Sequence, residues 1–309
     1  MRLALDALAA SISPEAVAAS AAKALAATKD VRLTLVGDPH SLNGALSGVE
    51  GRTRERISVY PASQGIHEGE DPETALRFRP DTSIGRCWQL LIERKVDGLI
   101  SLGPLNAVVA AGMRLRRLVP QVRRPGLAGL IQTTRSRWLV VDAGAFAEAT
   151  PPHLYQYGVM GLMLHRVLSE SDKGRCVLLR GANAENQREA DRLLEAGLSP
   201  HQYAGIVEPA GAFRSDAEVL VCSGSLGAVL MRTGNSVADL LREAELPGPR
   251  VSAVRPLLGF IGYPIHLTDL GALPEAVSLA QRLESARLND GIAEHLQFGP
   301  LVGAVGEDG

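Results

Sequence analysis

The stretch Leu139-Val-Val-Asp-Ala-Gly-Ala-Phe-Ala-Glu-Ala-Thr-Pro-Pro-His-Leu-Tyr-Gln-Tyr-Gly-Val-Met-Gly161 decides the fold class. Leu139 to Val141 is a short apolar run with the β-branched content of a buried strand. Asp142 and Gly144 stand where that strand should end. Thr150-Pro151-Pro152 then offers an N-cap with proline at the first helical positions. The helix predicted from Pro152 to about Leu168 is apolar on most faces, which means burial. A strand, a small polar loop and a buried helix form the repeating unit of an α/β sheet. In such sheets the loop at the carboxyl edge is where ligands bind, although a plain connection has the same appearance.

The pattern repeats on both sides. Strands are predicted at Arg2–Leu5, Val31–Val36, Ile57–Tyr60, Asp97–Ser101, Leu127–Ile131, Trp138–Val141, Arg175–Leu179, Tyr203–Ile206, Glu218–Cys222 and Leu257–Ile261. Between them, helices are predicted from Pro14 (capped by Ser13) to Thr28, around Ser41–Ser47, from Ile84 (capped by Ser83) to Lys95, and from Pro104 to Leu118. Further helices follow over Glu185–Ala196, Ser225–Glu245 and Ala272–Leu288. Pro61 to Pro80 is polar, rich in charge and reads as a long loop. Alternating elements with strands apolar on both faces predict an α/β protein with a mostly parallel sheet and helices on both faces. The expectation is one α/β/α unit over residues 1–309, with a flexible tail from residue 299.

Composition narrows the function. The chain has 309 residues and a formal net charge of −2, with acids and bases interspersed, which argues against nucleic-acid binding. Its 3 cysteines show no metal or disulfide spacing, so neither a structural metal nor a disulfide framework is expected. No apolar run reaches membrane-spanning length, and Asp6 interrupts any signal-peptide core. A cytoplasmic protein, at most peripheral to a membrane, is the expectation.

Neither a dinucleotide glycine fingerprint nor a phosphate-binding P-loop occurs. Ser223-Gly-Ser-Leu-Gly227 misses nucleophile-elbow spacing, and its small residues before a helix could instead bind an anion through backbone N–H groups. His67-Glu-Gly-Glu-Asp71 has metal-ligand residue types but reads as a solvated charge run. His153, in the first turn of its helix, is either a base of lowered pKa or a structural residue. Arg114, Arg116, Arg117, Arg123 and Arg124 form a basic patch suited to a phosphopantetheine, an acidic carrier protein, a membrane surface or solvent.

Several segments together resemble the phosphate acyltransferase (PlsX) family. They are Met1-Arg-Leu-Ala-Leu-Asp-Ala7 with Pro14-Glu-Ala-Val17, Leu35-Val-Gly-Asp38, Asp81-Thr-Ser83, Ser101-Leu-Gly103 and Arg124-Pro125. Asp142-Ala-Gly-Ala145 with Pro151, His153-Leu154, Gln156 and Val159-Met-Gly161 matches best, and Val221-Cys222, Gly224 and Pro256-Leu-Leu-Gly259 continue the likeness. The resemblance implies a fold like isocitrate and isopropylmalate dehydrogenases and a dimer. It also implies acyl transfer from acyl carrier protein to phosphate, without cofactor or metal.

This sequence departs from the family where the resemblance places its chemistry. Ala9-Ala10-Ser11-Ile12 replaces a glycine-glycine-aspartate-histidine segment, and Gly103-Pro104-Leu105-Asn106 a glycine-asparagine-threonine-glycine loop. Phe146 replaces an asparagine, Gln187 stands near a family lysine, and Ser223 replaces an aspartate. A late histidine-glycine pair is missing, leaving His266 and Asp269 in that region. The segment between the last long helix and the last strand, linked to membrane association in the family, is shorter. The remaining candidates for a substrate-binding site are Asp6, Ser101, Asn106, Asp142, Glu148, His153, Asn183, Glu185, Ser223 and His266, with no catalytic residue assigned. Two functions follow. One is a non-catalytic or repurposed paralogue that binds acyl carrier protein, acyl-CoA or a partner subunit, as a homodimer or with a second family member. The other is an acyltransferase with a divergent site, a phosphotransacetylase-like activity being a weaker variant.

Overall fold

The computed structural model describes residues 1–9, 12–134 and 136–300. Contacts divide the chain into two compact units, Met1–Arg117 with Gly262–Ser285, and Leu118–Ile261 with the chain from Ala286 on.

The first unit opens with β1 (Arg2–Asp6), α1 (Pro14–Ala26), β2 (Arg32–Gly37), α2 (Pro39–Ala45), α3 (Gly51–Arg54) and β3 (Ile57–Pro61). It continues through α4 (Pro72–Phe78), α5 (Ser83–Ile92), β4 (Gly98–Ser101) and α6 (Leu105–Leu115). The second unit holds β5 (Gly126–Gln132), β6 (Arg137–Val141), α7 (Pro151–Ser169), β7 (Cys176–Leu179), α8 (Ala184–Gly197) and β8 (Tyr203–Val207). It goes on with β9 (Val219–Val221), α9 (Gly224–Glu243), β10 (Arg250–Val251) and β11 (Val254–Leu258). The chain then returns to the first unit for β12 (Tyr263–Leu267) and α10 (Leu273–Ser285), and ends its described part in the second with α11 (Leu288–Gln297).

In the first unit the strand order is β3-β2-β1-β4-β12, every pair parallel. Leu3, Leu5, Leu33, Leu35, Leu99 and Ile100 are all buried, as strands covered on both faces require. In the second the order is β11-β5-β6-β9-β7-β8. β6, β9, β7 and β8 run parallel, while β5 is antiparallel to β6, β10 and β11. The sheet is therefore mostly parallel, with antiparallel pairing confined to the surroundings of β5.

Helix starts follow local chemistry. Ser13, Asp38, Asp71 and Asn183 each accept a backbone N–H at an N-cap, contributing about 1 kcal/mol apiece. Thr150 and His153 form a capping box at α7, and Pro151 and Pro152 fill its first positions. Gly158 and Gly161 let α7 close on Leu194 and Val219, which a side chain at either position would meet.

Several expectations are corrected. The loop read over Pro61–Pro80 contains α4, because Asp71-Pro72 is a cap-and-proline start. Thr82, not Ser83, stands at the N-cap of α5, so Ser83 is its first helical residue. The strand read at Leu257–Ile261 begins earlier, at Val254, and β12 follows it unforeseen. The last predicted helix is α10, which ends at Ser285, and α11 follows it unforeseen. Of the expected tail, residues 301–309 lie outside the described residues.

Candidate functional site

Both units present polar side chains at the carboxyl ends of their strands, and each must be built separately.

In the first unit, Asp6 ends β1, Ser101 ends β4 and His266 lies on β12. Parallel register sets the three side by side, Asp6 opposite Ser101 and Ser101 opposite His266. Ser101 Oγ donates to Asp6 Oδ2 at 2.9 Å and accepts from the Gly103 N–H at 3.0 Å. His266 Nε2 donates to the Gly103 carbonyl at 3.0 Å, so the Gly103 peptide joins histidine to serine to aspartate. All three are buried: Asp6 is 4% exposed, Ser101 0% and His266 8%. Burial raises the Asp6 carboxyl above its ordinary range, and Ser83, Ser101 and the Leu8 backbone pull it back. The loop after β1 is held tightly. A side chain at Gly65 would overlap the Leu8 carbonyl, and one at Gly103 would press on Ala9.

In the second unit, Asp142 directly follows β6 and is fully buried. Its Oδ1 accepts N–H groups from Leu127 at 3.1 Å, Gly144 at 3.0 Å and Ala145 at 2.8 Å. Its Oδ2 accepts from Phe146 at 2.9 Å. Burial raises this carboxyl too, while the four N–H donors stabilise its ionised form. Ser223 stands at the N-cap of α9, its hydroxyl 3.2 Å from Ser225 Oγ and making no cap bond. The adjoining glycines are filled by the protein itself. A Cβ on Gly224 would overlap the Phe146 carbonyl, and one on Gly227 the Asp142 carbonyl. Gly224 and Gly227 therefore serve close packing of loop on helix. The Ser225 N–H is taken by the Ala147 carbonyl at 3.1 Å.

The structure thus joins Asp6, Ser101 and His266 in one row, and Asp142 and Ser223 at one loop–helix junction. The other five candidates stand apart. Asn106 is exposed at the start of α6, its Oδ1 3.0 Å from the Ala107 N–H. Glu148 is exposed, and its carbonyl accepts from Arg124 at 2.9 Å. His153 Nδ1 accepts the Thr150 N–H at 3.2 Å, which assigns it to the capping box. Asn183 caps α8 and Glu185 lies exposed in its first turn.

The departures from the family pattern are also placed. Phe146 lies under the Arg124 guanidinium at 4.9 Å, a cation–π contact, and Gln187 is buried on α8. Ala10 and Ser11 lie outside the described residues. Sequence reasoning missed Ser83 as a neighbour of Asp6. Its polarity suggested a cap, and the packing of α5 against β1 brings it there. Among the described residues no cluster of three or more His, Cys, Asp or Glu is disposed to hold a metal ion. No helix among them is long and apolar enough to cross a membrane.

The fold is shared with solved phosphotransacetylases. A phosphotransacetylase from Streptococcus pyogenes superposes with a TM-score of 0.66 at 14% identity, over 92% of this chain and 94% of that one. A phosphotransacetylase from Staphylococcus aureus gives 0.60 at 15% identity, over 93% and 94%. In sequence, the phosphate acyltransferase of Alkalilimnicola ehrlichii is 31% identical over 293 residues, 93% of this chain and 82% of the relative. That of Pseudomonas fluorescens is 30% identical over 243 residues, 77% and 72%. The fatty acid synthesis protein model matches residues 1–245. Matched in sequence along most of its length, and divergent at the positions named above, the chain belongs to the fatty acid synthesis protein family of the phosphate acyltransferases.

Proposed function

We propose that this protein keeps the phosphate acyltransferase scaffold as a binding subunit. It holds an acyl thioester, carried on acyl carrier protein or coenzyme A, or pairs with a second family member, and it does not transfer the acyl group to phosphate by the family route. One observation carries this reading: the polar groups left at the strand ends are engaged by the chain's own backbone and by one another. Attack of phosphate on a thioester needs N–H donors or cations free to hold the dianion and polarise the carbonyl. Here the Asp142 carboxylate absorbs four such N–H groups, and Phe146 occupies the position of a family asparagine. Ser101 and His266 are engaged by the Gly103 N–H and carbonyl, and Ser101 also donates to Asp6.

The surface of α9 supports the partner half of the proposal. Val229, Val237 and Leu240 are exposed on this helix, with Leu240 65% accessible. Apolar side chains repeating along an exposed helix face suit another protein surface better than water.

A second reading, an acyltransferase with a rebuilt site, rests on the buried Asp6–Ser101–His266 row at parallel strand ends, where such folds bind ligands. Calorimetric titration with acyl-loaded and unloaded acyl carrier protein, followed by thiol release on adding phosphate, separates the two. Binding without phosphate-dependent release is the expected result. Release that depends on phosphate and is lost in Ser101→Ala would establish the second reading.

A further inference from the structure

At the amino edge of the parallel strands in the second unit, opposite the end that carries Asp142, lies a recess of about 700 Å³. Two connections line it: Asp172-Lys-Gly-Arg175, leading into β7, and Ser199-Pro-His-Gln202, leading into β8. Its volume is in the range of small-molecule sites.

The charges around it are unbalanced. Among the described residues, no carboxylate forms an ion pair with Lys173, Arg175 or His201. The one acid in the lining, Asp172, is already paired with Arg166 at 2.7 Å. Glu218, beside the recess, accepts the Arg175 backbone N–H at 2.9 Å and does not meet its guanidinium. Among the described residues, Arg175 Nε is moreover buried with no acceptor, an arrangement proteins avoid unless something supplies one. Cations that merely offset a helix dipole sit in the last turn of the helix. Lys173, Arg175 and His201 lie beyond the ends of α7 and α8, in the connections themselves. Gln202 adds an amide, its Oε1 already accepting from the Ser199 hydroxyl and N–H. Its NH₂ is thereby turned to donate.

We infer that this recess is a second binding site, for a phosphoryl dianion held by Arg175, Lys173 and His201. Arg175 supplies a planar fork matched to phosphate oxygens, and Lys173 a mobile point charge. The site is independent of the carboxyl-edge groups and of the function proposed for them. Free phosphate and an organic phosphomonoester offer the same dianion.

Calorimetric titration of the full chain with inorganic phosphate and with phenyl phosphate, at constant ionic strength, tests the assignment. Saturable binding of at least one probe is expected; tighter phenyl phosphate binding identifies an organic ligand, and equal binding free phosphate. Arg175→Gln should weaken binding about 10-fold, as loss of one charge-assisted pair does. Lys173→Ala/His201→Ala removes only exposed side chains, so folding is preserved, and should weaken binding by at least about 3-fold. Absence of saturable heat with both probes, or unchanged affinity in the folded double variant, overturns the inference.

Discussion

Asp6 and Asp142 occupy equivalent places, each the last residue of a strand or just beyond it, yet they are used differently. Asp142 is wrapped by four backbone N–H groups of its own loop and of β5, so its carboxylate acts as the centre of a turn. Asp6 takes a serine hydroxyl through Oδ2, while its Oδ1 is buried without a hydrogen-bond partner among the described residues. The first carboxylate is satisfied by sequence neighbours. The second depends on β4 and on α5, brought from far along the chain. A strand-end aspartate therefore does not by itself mark a reactive group; what matters is whether its donors are backbone or side chain.

The comparison breaks most readily at the glycines behind Asp142. Gly227→Ala places a Cβ on the Asp142 carbonyl, backbone against backbone, and should cost about 3 kcal/mol or more in urea denaturation. Loss of less than about 1 kcal/mol would mean that the loop can move away. Asp142→Asn comes next. It turns an amide NH₂ toward backbone N–H donors, and a loss of about 2–3 kcal/mol is expected from the broken charge-assisted bonds. Ser101→Ala should cost less, about 1–2 kcal/mol, because it strips one donor from Asp6 and one acceptor from the Gly103 N–H. If Ser101→Ala proves more damaging than Asp142→Asn, the ranking of the two carboxyl edges is reversed.

The smallest effect concerns pH. Burial raises the Asp6 carboxyl, so the fold favours its neutral form. The associated stability is fully present below the ordinary carboxylate range and is lost as pH rises through the raised value. Asp6→Asn, neutral at every pH, should therefore gain on the wild type as pH rises from about 4 to about 7. Parallel denaturation series for the two proteins measure the gap, and a gap that stays constant or closes the other way contradicts the assignment.

Much of the fold was legible in the sequence. Strand-length apolar runs, cap residues and prolines located most elements, and the 139–161 stretch folds as β6, loop and α7. β12 was hidden because Pro264 and His266 interrupt its apolar character, and with it went the meaning of His266. Its partner strand is β4, whose position beside it is set by topology that local pattern does not carry. Polar residue types were visible, but their partners were not. The sequence leaves His153 either a base or a structural residue, and its Nδ1 accepts the Thr150 N–H in a capping box. The small residues of Ser223–Gly227 could bind an anion on sequence alone, and loop carbonyls lie against Gly224 and Gly227. In both cases the deciding fact is which atoms fill the neighbouring space.

The central claim is that this scaffold binds without transferring. The most direct measurement is the rate of acyl carrier protein thiol release from acyl carrier protein thioester, at saturating protein, with and without inorganic phosphate. Equal rates are expected under both conditions. A phosphate-dependent rate, with acyl phosphate formed in step with free thiol, would contradict it.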